Sequence, residues 1–265
     1  MKRITLITLG FSIAACTSSS SQTSPATTAD YEDAAQTIAS STVMGGSGGA
    51  IGGGDIIVFA DALSLARGHL PLGFLRIDDH HFHGNLMGVD HAITITCKDA
   101  AGAAQQACNS TTDSATITLK QTGSVETPSF MASVDREGNF TITGLQSATA
   151  TFDGDSSFSL DTTLHSVFHP GVTSTFMFDA TASYKAITIA TADHQITGGS
   201  ASFEVKAHRT VTGTGSGSQN HDVDKSFDVH ADITFNADHT ATLVLDGTHT
   251  FTIDLTTGKI VKVMT

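Results

Sequence analysis

From Val89 to the C-terminus, apolar and polar residues alternate with a period of two in segments rich in Thr, Val, Ile and Phe, the pattern of half-buried strands. In VDHAITITC, Val89, His91, Ile93, Ile95 and Cys97 share one face, and Asp90, Ala92, Thr94 and Thr96 share the other. The same reading fits ATITLKQ, SFMASVD, NFTITG, SATATFD, SSFSLD, TSTFMFDATASYK, AITIATA, SASFEVKAHRTV, KSFDVHADITF, ATLVLD, HTFTIDL and KIVKV. Turn residues fall between them: Arg136-Glu137-Gly138-Asn139, Asp153-Gly154-Asp155, Gly198-Gly199, Asn236-Ala237-Asp238 and the hairpin dipeptide Asp246-Gly247. Short strands joined by tight turns predict an antiparallel meander. In the last third Phe227, Val229, Ala231, Ile233 and Phe235 face one way, while Asp228, His230, Asp232 and Thr234 face the other. One face is core and one is wet. The expected fold is mainly β: a sandwich, an open barrel or a large curved sheet.

Ahead of Val89 the spacing becomes helical. Asp30 to Val43 carries acids in its first turn and Ala34, Ala35, Ile38 and Ala39 on one face. A glycine tract, Gly45 to Gly54, follows. Asp55 to Arg67 then offers Asp55 as a cap, Ile56, Phe59, Ala60 and Leu63 as a face, and Gly68 as a stop. One or two short helices are therefore expected before the sheet. The predicted division is a signal peptide over 1–15, a tether over 16–29, a short helix and glycine-rich linker over 30–54, and a single β-rich domain over 55–265.

Lys2 and Arg3 precede the uncharged run Ile4 to Ala15 and then Cys16, the layout of a secretory signal. The run is shorter than the roughly 20 apolar residues a spanning helix needs. Ile13-Ala14-Ala15-Cys16 resembles the lipobox of bacterial lipoproteins. That resemblance implies that Cys16 is lipidated and becomes the first residue after cleavage. It also implies the outer membrane, since Thr17 stands where an aspartate retains many such lipoproteins in the inner membrane. More than one acyl chain gives stable anchoring. Thr17 to Ala29, rich in Ser and Thr, is expected to be a flexible tether of roughly 20 Å reach. ITITCKDAAG and TIDLTTGKIVKV loosely resemble uncharacterised exported β-rich lipoproteins, a resemblance that brings no activity with it.

Composition narrows the partners. The chain has 26 acidic and 13 basic residues, a net charge of −13, and removal of Lys2 and Arg3 makes it more negative. Nucleic acid is not an expected partner, because phosphates repel such a surface and no basic cluster appears in the sequence. Fifteen Phe with many Val, Ile and Leu supply a core, while the absence of Trp and the presence of only two Tyr argue against the aromatic girdles of a transmembrane barrel. With Cys16 taken by lipid, Cys97 and Cys108 are the remaining thiols of an exported chain, so a disulfide is expected, stabilising by about 2 to 3 kcal/mol.

Candidate chemistry is sparse. Gly45-Gly46-Ser47-Gly48-Gly49 matches the nucleophile pattern G-x-S-x-G only through glycine density, with no strand before it. The acid pairs Asp153 with Asp155 and Asp222 with Asp224 sit at predicted turns without calcium-loop spacing. DDHHFH is the best cluster: in an extended segment Asp79, His81 and His83 share one face, two imidazoles with a carboxylate that suit zinc or copper. A site also needs a third or fourth ligand, which His91, His165, His169, His230 or His249 could supply. Against a metal stands the wide scatter of histidines, thirteen in all. The leading expectation is a non-enzymatic outer-membrane lipoprotein, lipid-anchored in the bacterial cell envelope, whose β-domain is a structural, adhesive or binding module needing no cofactor. The alternatives are a periplasmic or surface metal-binding protein and, further off, a hydrolase.

Overall fold

Alternation sustained over many residues favours a few long strands, because each added pair extends a ladder already formed. The computed structural model describes residues 28, 31–32, 34–35, 38–39, 64–70, 73–86, 88–165, 171–192, 195–213, 223–257 and 259–263. Cys16, residues 1–27 and the Gly45 to Gly54 tract lie outside the described residues. Twelve strands form one antiparallel sheet in chain order. They are β1 (Phe74–Arg76), β2 (His81–Leu86), β3 (Val89–Asp99), β4 (Thr112–Thr127), β5 (Phe130–Thr143), β6 (Thr149–His165), β7 (Thr173–Ala190), β8 (Ile196–Thr212), β9 (Val223–Phe235), β10 (Thr240–Leu245), β11 (His249–Asp254) and β12 (Ile260–Lys262). The meander does not close on itself, so the fold is a large curved sheet. Its two edge strands, β1 and β12, are three residues each.

Strand length varies across the sheet. β7 has 18 residues, about 60 Å of extended chain, whereas β10 and β11 have six each. β10 pairs with β9 only from Ala231 to Phe235, and β3 reaches β4 only as far as Gly123. The far ends of β4 to β9 therefore project past their shorter neighbours as an overhang.

The opposite end is filled. Phe140 stacks on Phe152 with ring centroids 5.0 Å apart, Phe152 meets Tyr184 at 5.5 Å, and Tyr184 meets Phe203 at 5.9 Å. This aromatic band crosses β5 to β8 on the inner face. Ile95, Ile117, Ile142, Leu243 and Ile253 join the same core. The helical residues Ala34, Ala35, Ile38 and Ala39 are buried in it, on the face expected of them, and Leu65 and Ala66 are buried in it too, though the face expected of the second helix, Ile56, Phe59, Ala60 and Leu63, lies outside the described residues. Of the second expected helix, Ser64, Leu65 and Ala66 are helical, and residues 55–63 lie outside the described residues. Gly68 ends it as predicted: at φ 82° its N–H donates to Leu65 O (2.9 Å) while His69 N–H donates to Ser64 O (2.8 Å), a Schellman closure.

Three expected turns are absent, for a common reason. Arg136 to Asn139 run through the middle of β5, where Val134, Arg136, Gly138 and Phe140 keep an unbroken inward phase. Gly138 is there because a Cβ would meet the Phe140 ring at 2.4 Å. Asp153-Gly154-Asp155 is a register shift within β6, and Asp153 Oδ1 accepts the Ala186 N–H at 2.7 Å. Gly198-Gly199 lies inside β8, where Gly199 at φ 105° faces Ala186 at φ 50°. These irregularities lie side by side across β6, β7 and β8, where bulges bend a sheet rather than end its strands. Asp246-Gly247 does turn the chain, with φ 47° and 67°. Asn236-Ala237-Asp238 lies in the connection between β9 and β10.

Candidate functional site

The cluster DDHHFH straddles the start of β2. Asp78 is drawn back over the bend: its Oδ1 accepts the His80 and His81 N–H groups at 2.8 and 2.9 Å, and its carboxylate lies 2.8 Å from His81 Nδ1. Those bonds, the His80 N–H first, hold the Asp78 carboxyl below its ordinary range. Phe82 is buried, while His81 and His83 share the outer face of β2. Asp79 lies 3.5 Å from Gln106 Nε2 and 3.8 Å from Arg76, and His83 lies 3.8 Å from Asp90. His81 thus meets Asp78 rather than Asp79. Among the described residues no three His, Cys, Asp or Glu side chains are placed to hold a metal ion.

The histidines named as further ligands lie elsewhere. His91 is on the inner face, its Nδ1 2.9 Å from Gln121 Nε2 and its ring edge-on to Phe74. Burial, then the nearby Arg136 charge, depresses its pKa. His249 stacks on Tyr31 at 3.9 Å, whose hydroxyl donates to Asp246. His165 faces Thr173, and His169 lies outside the described residues.

His230 stands on the outer face of β9, Nδ1 2.7 Å from Glu204 and Nε2 3.3 Å from Asp232. The Glu204 hydrogen bond, reinforced by Asp232, raises its pKa above the usual value of 6.5. A raised folded pKa means the native state binds the proton more tightly. The stabilisation is therefore full below pH 6.5 and disappears as pH rises through the folded value. The group is largely exposed, so solvent screening limits the effect to a few tenths of a kcal/mol, on the order of a surface ion pair. His230→Gln is expected to lower the thermal midpoint slightly at pH 6 and not at pH 9, measured by calorimetry at both.

Cys97 and Cys108 form a disulfide, with 5.4 Å between their Cα atoms. Both are buried, and the bridge ties the end of β3 to the loop entering β4. Gly68 packs against the backbone at Cys108, and Arg67 donates to Thr191 O at 3.2 Å. The bridge therefore belongs to the filled end of the sheet.

The overhang carries the other chemistry. The registers align Arg136, Phe158, Ala180, Val205 and Val229 in one row across the inner face from β5 to β9. The next row outward is Val134, Leu160, Phe178, Ala207 and Phe227, and beyond it lie Ala132, Thr162, Phe176, Arg209 and Lys225. Phe158, Leu160, Phe176 and Phe227 are only partly buried. Every described carboxylate on these strands beyond Ala115 (Glu126, Asp135, Glu137, Asp153, Asp155, Asp161, Asp179, Glu204, Asp224, Asp228 and Asp232) occupies an outward-facing register position. The charged residues at inward positions there are Arg136, Arg209 and Lys225. In so acidic a chain this is a sorting of charge by face.

Sequence reasoning passed over these three cations, although a signal was present. Arg209 is in phase with Phe203, Val205 and Ala207, and Lys225 with Phe227 and Val229. Compared with protein-family models, with curated proteins and with solved structures, the chain matches none of them.

Proposed function

We propose that the chain is a lipid-anchored outer-membrane lipoprotein whose acidic, disulfide-bonded β-domain is a non-enzymatic binding module, taking an apolar ligand on the inner face of the overhang. The observation that carries this reading is the group of partly buried Phe158, Leu160, Phe176 and Phe227 on an inner face that the shorter strands do not reach across. Apolar surface of this kind is what ligand sites are made of. The lipobox-like Ile13-Ala14-Ala15-Cys16 and the Ser/Thr-rich stretch after it support the anchor, and Thr17 supports the outer membrane.

Two measurements test it. Cells fed an alkyne-tagged fatty acid should label the wild-type chain and not Cys16→Ala, and the variant should leave the membrane fraction; a variant still labelled and sedimenting would remove the anchor. Nile red, an uncharged dye, should bind the folded chain saturably with a blue-shifted emission, and Phe176→Ser should abolish that binding. Failure of wild-type protein to bind the dye would remove the binding module.

A further inference from the structure

A strand that is wet on one side has no use for apolar residues on both, yet the rim of the overhang exposes them on both faces. Leu164, near the end of β6, is 51% exposed on the inner side, where its cross-strand partners are Phe130 and Ser174. Met131, on the outer side of β5, is 46% exposed. Phe130 and Val211 lie in the same inner row as Leu164 and are half-buried. Acids are missing from this rim. Residues 127–130, 164–165, 173–174 and 211–212, which form it from β4 to β8, contain no Asp or Glu, and Glu126 and Asp224 stand one row further in.

The N-terminal chain joins the sheet at the same end. Tyr31 is held at the turn between β10 and β11, its ring 3.9 Å from His249 and its hydroxyl donating to Asp246. That turn is level with His230, whose N–H donates to Asp246 Oδ1. Beyond it β9 runs on from His230 to Val223, about 23 Å of extended strand. A coil of the length of residues 16–29 reaches roughly 20 Å. A lipid carried by Cys16 therefore brings a bilayer surface level with the rim.

We propose that the rim of the overhang docks on a zwitterionic lipid surface, seating Phe130, Met131, Leu164 and Val211 among the headgroups, so that the sheet stands upright with its filled end away from the membrane. This deepens the anchor reading above and rests on it. Interfacial elements sit about 5 to 10 Å deep, roughly two residues of strand, which takes in the rim and leaves Glu126 and Asp224 among polar headgroups. Deeper entry would strip water from the backbone of the β4–β5 connection. The surface is zwitterionic because the acids of the outer face repel anionic lipid.

The chain has no Trp, so a single introduced indole reports its own depth. Cys97 and Cys108 are bridged, which leaves the Cys16 thiol for coupling the full-length chain to a maleimide lipid in phosphatidylcholine vesicles. Met131→Trp and Leu164→Trp should each shift to the blue on coupling and be quenched at least twofold by acyl-brominated phosphatidylcholine. Val261→Trp, at an exposed position on β12 at the filled end, should stay solvent-like. Leu164→Asp added to the Met131→Trp chain should remove most of that quenching and leave the thermal midpoint unchanged. Coupled vesicles in which neither rim indole is quenched, or in which all three are quenched alike, would overturn the docking. Quenching of Leu164→Trp alone would also overturn it, since a single lipid on the inner face would then suffice. The coupling supplies the anchor chemically, so a wild-type chain that takes no fatty acid in cells removes the biological anchor and leaves the docking result to stand or fall by itself.

Discussion

Phe140→Ala is expected to destabilise the domain by about 3 to 5 kcal/mol, the range for emptying a buried Phe site, and to lower the thermal midpoint by roughly 10 °C. The ring is 3% exposed and lies at the junction of the filled end with the overhang. It stacks on Phe152, approaches Tyr184 edge-on, and covers two glycines, Gly138 on its own strand and Gly154 across on β6. Truncation leaves a cavity between those glycines, and neither has a side chain with which to refill it. The complementary change, Gly138→Ala, puts a Cβ 2.4 Å from the ring and should cost about 1 to 3 kcal/mol through overpacking. Denaturant unfolding of both variants checks the pair. A loss below about 1 kcal/mol for Phe140→Ala, less than truncating one exposed aromatic contact, would mean the band does not hold the sheet together.

Replacing both cysteines, Cys97→Ala with Cys108→Ala, should cost about 2 to 3 kcal/mol and lower the midpoint by roughly 5 to 10 °C. The bridge closes a short loop, with a sequence separation of 11, so most of its effect is expected to come from restricting the unfolded chain. The rest is packing, because the Cys108 carbonyl sits against Gly68 and the helical residues Leu65 and Ala66 share the same core. Adding reductant to the wild type should reproduce the shift of the double variant. Equal midpoints with and without reductant, with both thiols shown to be free, would contradict it.

The meander was legible because its strands are wet on one side. Val89 to Cys97 and Phe227 to Phe235 keep a strict period of two, and a one-residue slip would have turned Ile93 or Ile233 to solvent. Strand lengths were not legible in the same way. Arg136 to Asn139 has the composition of a turn, yet its place in β5 is set by the adjacent Phe140 and by Phe158, which sequence distance conceals. Asp153 and Gly154 likewise gain their bulge from Ala186 on the next strand. Histidine density drew attention to Asp79, His81 and His83, whereas a carboxylate one residue earlier, Asp78, reaches His81 because the bend before β2 brings it back. The inner cations were harder to see, since each is a single charged residue in an apolar phase. Only the register shows that Arg209 and Lys225 are neighbours.

The structure has a filled end that supplies stability and an overhang whose inner face carries partly buried apolar side chains beside Arg136, Arg209 and Lys225. Amide hydrogen exchange with and without Nile red tests this division most directly. Binding on the inner face predicts slowed exchange in the overhanging parts of β6 to β9, around residues 158–164, 174–180, 205–211 and 225–229, with β10, β11 and β12 unchanged. Protection confined to β10–β12, or no protection at saturating dye, would contradict it.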